Sequence, residues 1–252
     1  MPRANRHHLP YYVWHITHRC HRQQFLLRFG RDRQAWTRWL YAARKRYGLC
    51  VLDYAVTSNH IHLLVRDRGR GEIARSLQLV AGRTAQAYNA RKGRHGAFWE
   101  DRYHATAVET GAHLARCVVY IDLNMVRAGV VQHPARWPAG GYHEIQCARQ
   151  RYQLVNRGAL AEGLGLQHLG QLAPAHAEWI TAALQNGEPR VPEWSESLAV
   201  GSREFVARVG AELGVRARHR QIARCGDFSV LRDPGAPYGR HSGAEIAPLS
   251  GA

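Results

Sequence analysis

Lysine is nearly absent from this 252-residue chain. Of 35 basic residues only Lys45 and Lys92 are lysines, and the rest are arginines. Acidic residues are also scarce, 19 in all, so the formal net charge is +16. That excess excludes an ordinary acidic metabolic enzyme as the default and favours a polyanionic partner, most simply nucleic acid. The five cysteines (Cys20, Cys50, Cys117, Cys147, Cys225) contain no Cys-x-x-Cys pair. Zinc-ribbon and thioredoxin-type readings therefore fail, and scattered reduced thiols suit the cytoplasm. No stretch approaches the ~20 apolar residues of a membrane span. No apolar run follows the basic segment from Met1 to Pro10, so a leader is not expected. A glycine-rich phosphate loop is missing too, and no nucleotide-fuelled step is implied.

What is present suits a packed domain. The chain is 45% hydrophobic, with 7 Trp, 11 Tyr and 5 Phe, enough to build a core. The charge is lopsided. Residues 1–150 hold 24 Arg and Lys against 9 Asp and Glu, whereas residues 151–252 hold 11 against 10. A polyanion-facing surface is thus expected in the first 150 residues. Arginine forks suit phosphate oxygens and can stack on bases.

Periodicity organises the first part. Tyr11 to Thr17 reads as a strand, Arg31 to Tyr47 as a helix stopped by Gly48, and Leu49 to Val56 as a strand. Thr57-Ser58-Asn59 reads as a turn into a strand from His60 to Val65. A helix over Gly71 to Ala90, a basic loop over Arg91 to His95, a strand over Arg102 to Glu109 and a helix over Ala112 to Arg127 follow. This order predicts an α+β fold, a ferredoxin-like antiparallel sheet with helices on one face. Beyond residue 148 a mostly helical extension (149–252) is expected. It has helical signals over 160–172, 176–184 and 202–213, a linker at 187–192, a basic stretch at 216–224 and a loose tail from about Asp233. The 202–224 segment admits a helix-turn-helix reading, or a helix packed on the first domain.

The chemistry centres on Asn59-His60-Ile61-His62-Leu63. On a strand His60 and His62 point to one face, a plausible half-site for a divalent metal. On the third helix Arg116, Tyr120, Asn124 and Arg127 share a face at i, i+4, i+8 and i+11. Alone, the first feature reads more readily as a satisfied histidine pair and the second as a core tyrosine.

Together, "TSNHIHLLV" and "YIDLNMVRAGVV" resemble the single-tyrosine HUH transposases. Among these the chain is most similar to the REP-associated tyrosine transposases, relatives of the small insertion-sequence (IS200-like) transposases. The resemblance covers roughly residues 5–145, including "FWEDRYHA" and "HPARWPAGGYHEI". It implies the HUH endonuclease fold over residues 1–148, with Tyr120 as nucleophile and His60, His62 and Asn124 as ligands of Mg²⁺ or Mn²⁺. It further implies cleavage and rejoining of single-stranded DNA at palindromic hairpins, as a monomer or homodimer, in the cytoplasm and on the nucleoid when bound to DNA. Two positions depart from the family form. Met125 follows Asn124 where Pro is common, and Thr57-Ser58 stands where Met-Pro is common.

Candidate phosphate contacts are Arg3, Arg6, Arg19, Arg22, Arg83, Arg91, Lys92, Arg94, Arg102, Arg116 and Arg127. Phe98 and Trp99 are core residues or base-stacking platforms. A histidine-triad hydrolase is excluded because Leu64 stands where its third histidine belongs. A replication initiator or relaxase is disfavoured by length and the single tyrosine. A non-catalytic hairpin-binding protein on the same fold remains the alternative.

Overall fold

The computed structural model describes residues 9–187 and 189–234; Arg3, Arg6 and the tail beyond Pro234 lie outside the described residues. Four strands form the expected antiparallel core: β1 (Val13–Arg19), β2 (Cys50–Val56), β3 (His60–Arg66) and β4 (His104–Val108), in the order β2-β3-β1-β4. β1 begins later than its aromatic run suggests, because Tyr11 sits in a turn at φ 71°. It continues to Arg19, which pairs with His60.

One face of this sheet is apolar. Ile16 pairs with Leu63, and Leu63 with Tyr54, so the three share a side. Onto that side pack α1 (Gly30–Tyr47) and α2 (Glu72–Lys92). α1 buries Trp36, Leu40 and Ala43, and α2 buries Ile73, Leu77 and Val80, at the helical spacing seen in the sequence. The Trp36 and Tyr54 rings lie 6.4 Å apart. α2 outlasts its expected end at Ala90. Arg91 and Lys92 therefore stand on its final turn rather than in a loop, and Gly93 at φ 57° closes it.

The expected third helix is broken. α3 (Ala112–Asp122) ends at Leu123, and a single turn, α4 (Asn124–Arg127), follows. Three further helices, α5 (Tyr142–Gln146), α6 (Arg157–Gly163) and α7 (Leu172–Asn186), lead to the short α8 (Glu193–Glu196) and, after a strand, to α9 (Arg203–Leu213). Asp122 and His176 of α7 are both buried and bonded at 2.7 Å, joining α3 to α7.

The extension is largely helical, as expected, and it also lengthens the sheet. β5 (Ala199–Gly201) pairs parallel with β4. β7 (Phe228–Arg232) pairs antiparallel with β5, and β6 (Gln221–Cys225) forms the outer edge. The helix-turn-helix reading of 202–224 is thereby corrected. Its helix is present, capped by Ser202, whose Oγ accepts from the Phe205 N–H at 3.1 Å. Its basic part is a 3₁₀ turn (Gly214–Ala217) and then β6. The physical reason is the Gly226-Asp227 pair, with Gly226 at φ 63°, which turns β6 back into β7 as a hairpin.

The sheet's continuation has a tight point at Gly201. A Cβ there would lie 2.7 Å from both Glu109 Cβ and Phe205 Cδ1. Gly201→Ala is expected to cost about 1–3 kcal/mol by overpacking. Gly210→Ala is expected to stabilise by about 0.5–1 kcal/mol, since its Cβ on α9 would meet nothing nearer than Leu231 at 3.8 Å. Urea unfolding of the two variants checks the opposite signs.

Candidate active site

The turn into β3 fixes the first histidine. The Thr57 N–H donates to the His60 carbonyl at 2.9 Å and closes the hairpin. The Asn59 amide donates through Nδ2 to the Gln23 carbonyl at 3.3 Å, which leaves Oδ1 facing His60 Nδ1 at 2.7 Å. A carboxamide oxygen only accepts, so His60 carries its proton on Nδ1. Its Nε2 then presents a lone pair.

The second histidine is fixed by a longer chain. His15 Nδ1 lies 2.7 Å from the Trp194 carbonyl, and His15 Nε2 lies 2.9 Å from His62 Nδ1. The carbonyl can only accept, so His15 donates from Nδ1 and accepts at Nε2. His62 must donate from Nδ1, and its Nε2 is also bare. Burial holds all three rings neutral. It lowers His15 to about 4 and His60 to about 3, the latter helped by the positive charge of Arg19. It lowers His62 well below 6.5, with His60 and His15 adding to the effect.

The two bare Nε2 atoms face each other at 3.0 Å, and the Asn124 amide lies 3.0 Å from His62 Nε2. Two lone pairs that close repel unless a cation or a donor stands among them. Two imidazole nitrogens 3.0 Å apart fit neighbouring positions on a divalent ion bound at about 2.1 Å. Turning the Asn124 amide over would present its oxygen. The residues fit a divalent metal, and His15 is the partner that fixes the tautomer of His62.

Tyr120 of α3 lies over the same face. Its ring centre is 5.8 Å from that of His62 and 6.0 Å from that of His15, both edge-on. Its hydroxyl is 3.4 Å from Ser195 Oγ. The Arg127 guanidinium sits 4.6 Å above the ring and donates to the Tyr120 carbonyl. Thr17, Arg19, His60, His62, Tyr120, Asn124, Arg127, Arg190, Ser195 and Glu196 line one pocket.

Of the arginines singled out in the sequence, Arg19 and Arg127 enter this pocket. Arg116 does not. It pairs with Asp227 at the β6–β7 turn, away from Tyr120. Arg91 pairs with the buried Asp32, and Arg83 lies 5.6 Å over the Trp39 ring. Arg94 bonds to Asn89 and to the Ala97 carbonyl, and Lys92 lies 5.8 Å from the Phe29 ring. Arg22 and Arg102 are exposed. Phe98 is core. Trp99 stacks on His18 at 4.1 Å and donates to the Ala81 carbonyl at 3.0 Å, so its ring is engaged within the protein.

Sequence reasoning missed His15, Arg190, Trp194, Ser195 and Glu196. The alternation of His15, Thr17 and Arg19 along β1 is a signal for the first, because it places them on one face. The other four carry no local signal. They meet the site only because α8 packs against β1 and β4.

Residues 10–124 match the family model described as transposase, IS200 like. No curated protein matches the chain. Among solved structures the chain is similar to a REP-associated tyrosine transposase bound to a REP hairpin. The TM-score is 0.50 at 18% identity, over 61% of this chain and 90% of that one. A candidate transposase from Deinococcus radiodurans aligns with a TM-score of 0.34 at 15% identity, over 52% of this chain and 93% of that one.

Neutral burial of the histidines sets a pH dependence. Above pH 6.5 both folded and unfolded chains hold neutral imidazoles. Below it the unfolded chain takes up protons that folded His15 refuses until about pH 4. Stability is therefore full above 6.5 and is lost as pH falls toward 4, by up to about 1.4 kcal/mol per pH unit per histidine. Asp53 is buried and held well above the usual carboxylate range, and it works in the opposite direction. His15→Gln removes one titrating ring, so its stability between pH 6 and 4 is expected to fall less steeply than that of the parent. Urea titrations at several pH values measure the difference.

Proposed function

We propose, from the match of residues 10–124 to the IS200-like transposase family, that the chain is a single-stranded DNA endonuclease and strand transferase acting at hairpin DNA. One observation carries the reading. Two bare imidazole nitrogens, a carboxamide and a tyrosine share one pocket with Arg19, Arg127 and Arg190. The similarity to a protein bound to a REP hairpin supports the substrate class.

The arginines receive the phosphodiester backbone. A divalent ion, Mg²⁺ or Mn²⁺, held by His60, His62 and Asn124 would polarise the scissile phosphate. Tyr120 Oη bonds to phosphorus as the bond from phosphorus to the 3′-oxygen breaks. The phenol proton is released, and the leaving 3′-oxygen is protonated to a free hydroxyl. A 5′-phosphotyrosine results. It keeps the energy of the phosphodiester, so an incoming 3′-hydroxyl can reverse the step and join strands. Ser195, beside the Tyr120 hydroxyl, orients it, and Arg127 holds the ring from above. With Tyr120 as the one tyrosine in the pocket among the described residues, cleavage and joining use it in turn or draw on a second subunit. The alternative is a non-catalytic binder of the same DNA, which needs the basic surface but not the tyrosine.

A covalent-adduct assay separates the two. Labelled hairpin DNA with a single-stranded flank and Mn²⁺ is expected to give a protein–DNA band stable to denaturation. Tyr120→Phe should abolish the band, and His60→Ala with His62→Ala should reduce it at least a hundredfold. Hairpin binding without any band in the parent protein would select the binding-module reading.

A second prediction concerns His15. His15→Gln keeps a donor for the Trp194 carbonyl and an acceptor for His62, whereas His15→Leu keeps neither. Mn²⁺ affinity, read by electron paramagnetic resonance, is expected to fall about 10–100-fold in His15→Leu and to stay close to the parent's in His15→Gln. Equal affinity in both variants would remove His15 from the site.

A further inference from the structure

The segment between β1 and α1 presents two large aromatic rings to solvent. Phe25 is 57% exposed and Phe29 is 50% exposed. Leu26 and Leu27, between them, are buried, so the segment is anchored by its middle. Three cations surround the Phe29 ring: Arg31 at 5.5 Å, Lys92 at 5.8 Å and Arg28 at 5.9 Å. The one acid nearby in sequence, Asp32, is buried and paired with Arg91.

The segment is also bolted to the candidate active site. The Leu27 N–H donates to the Ser58 carbonyl at 2.9 Å, and the Cys20 N–H donates to the Asn59 carbonyl at 2.7 Å. The Asn59 amide donates to the Gln23 carbonyl, and Gln23 lines the pocket. The same Asn59 fixes the tautomer of His60. The aromatic segment therefore moves with the histidines.

A single exposed phenylalanine needs no explanation. Two of them on an anchored segment, with like charges gathered at one ring, do. The cations repel one another, and among the described residues none of the three is paired with an acid. An anion with a flat apolar face satisfies both features at once: the face stacks on the ring while the charge meets the guanidinium and ammonium groups. We propose that Phe25 and Phe29, with Arg28, Arg31 and Lys92, form a stacking platform for unpaired bases of single-stranded DNA leading into the active site. The proposal rests on the DNA-processing reading above and adds the part of the substrate that is held outside the pocket.

The test compares oligo(dT) with an abasic oligodeoxynucleotide of equal length, which has the phosphates without the bases. Both bind the full chain, measured by fluorescence anisotropy at fixed salt. The parent protein is expected to prefer oligo(dT) about 5–150-fold, the range of one base–aromatic stack. Phe25→Ala/Phe29→Ala should erase that preference and leave abasic binding unchanged. These positions are exposed, so the variant should fold. In Phe29→Trp, oligo(dT) should quench the new indole's emission and the abasic strand should not. A double variant that keeps the preference, or an unquenched Phe29→Trp, overturns the platform while leaving the DNA-processing reading intact. A parent protein that binds neither strand overturns the platform, while the covalent-adduct assay on hairpin DNA decides the DNA-processing reading. An acidic peptide that displaces oligo(dT) from Phe29→Trp at equal concentration would reassign the surface to a protein partner.

Discussion

A backbone carbonyl has no proton to give, and the arrangement of the site follows from where the Trp194 carbonyl points. It obliges His15 to donate from one nitrogen and accept at the other. His62 is then obliged to turn its bare nitrogen toward His60 and Asn124. The chain works only while both rings are neutral, and burial secures that. On the other histidine Asn59 does the same work from the hairpin turn. Two independent hydrogen-bond routes thus aim two lone pairs at one point, before any ligand arrives.

The extension beyond the family-matched segment is part of this arrangement. Trp194 and Ser195 of α8 touch His15 and Tyr120, and Arg190 and Glu196 line the same pocket. Glu196, half-buried, has its carboxyl pushed up by that burial, against the pull of Arg190. α8 is held in place because the strand that follows it, β5, joins the sheet beside β4. The family match over residues 10–124 therefore encompasses His60, His62, Tyr120 and Asn124, with His15 and Asn59 that orient the two histidines, but not Arg190, Trp194, Ser195 and Glu196.

Much of this was legible in the sequence where period and chemistry coincide. The alternation across His60, Ile61, His62 and Leu63 assigns each to its face, and the sheet bears it out: Ile61 and Leu63 are buried in the core while the histidines face the pocket. The spacing of Trp36, Leu40 and Ala43 marks α1 correctly. What stayed hidden depends on contacts between distant segments. Arg116 shares a nominal helix face with Tyr120, but Asp227, over a hundred residues away in sequence, draws it off. Thr57, a departure from the family form, bonds to His60 Nδ1 at 2.9 Å and so belongs to the site's support. β5 and β6 were missed because β5 is three residues long and β6 continues a basic stretch, so neither shows an apolar alternation.

The parallel pairing of β4 with β5 has a topological meaning. Adjacent parallel strands cannot be joined by a tight turn, and everything from residue 109 to residue 198 lies in the connection between them. Tyr120, Asn124 and Ser195 all ride on this one closed excursion, whose two ends are stitched side by side into the sheet that carries the histidines. Tyr120 is thus carried on a tethered arm. Lending it to another molecule would mean unpicking the β4–β5 seam or lifting α6 and α8 from the strands they cover, whereas serving its own histidines requires no rearrangement of the chain.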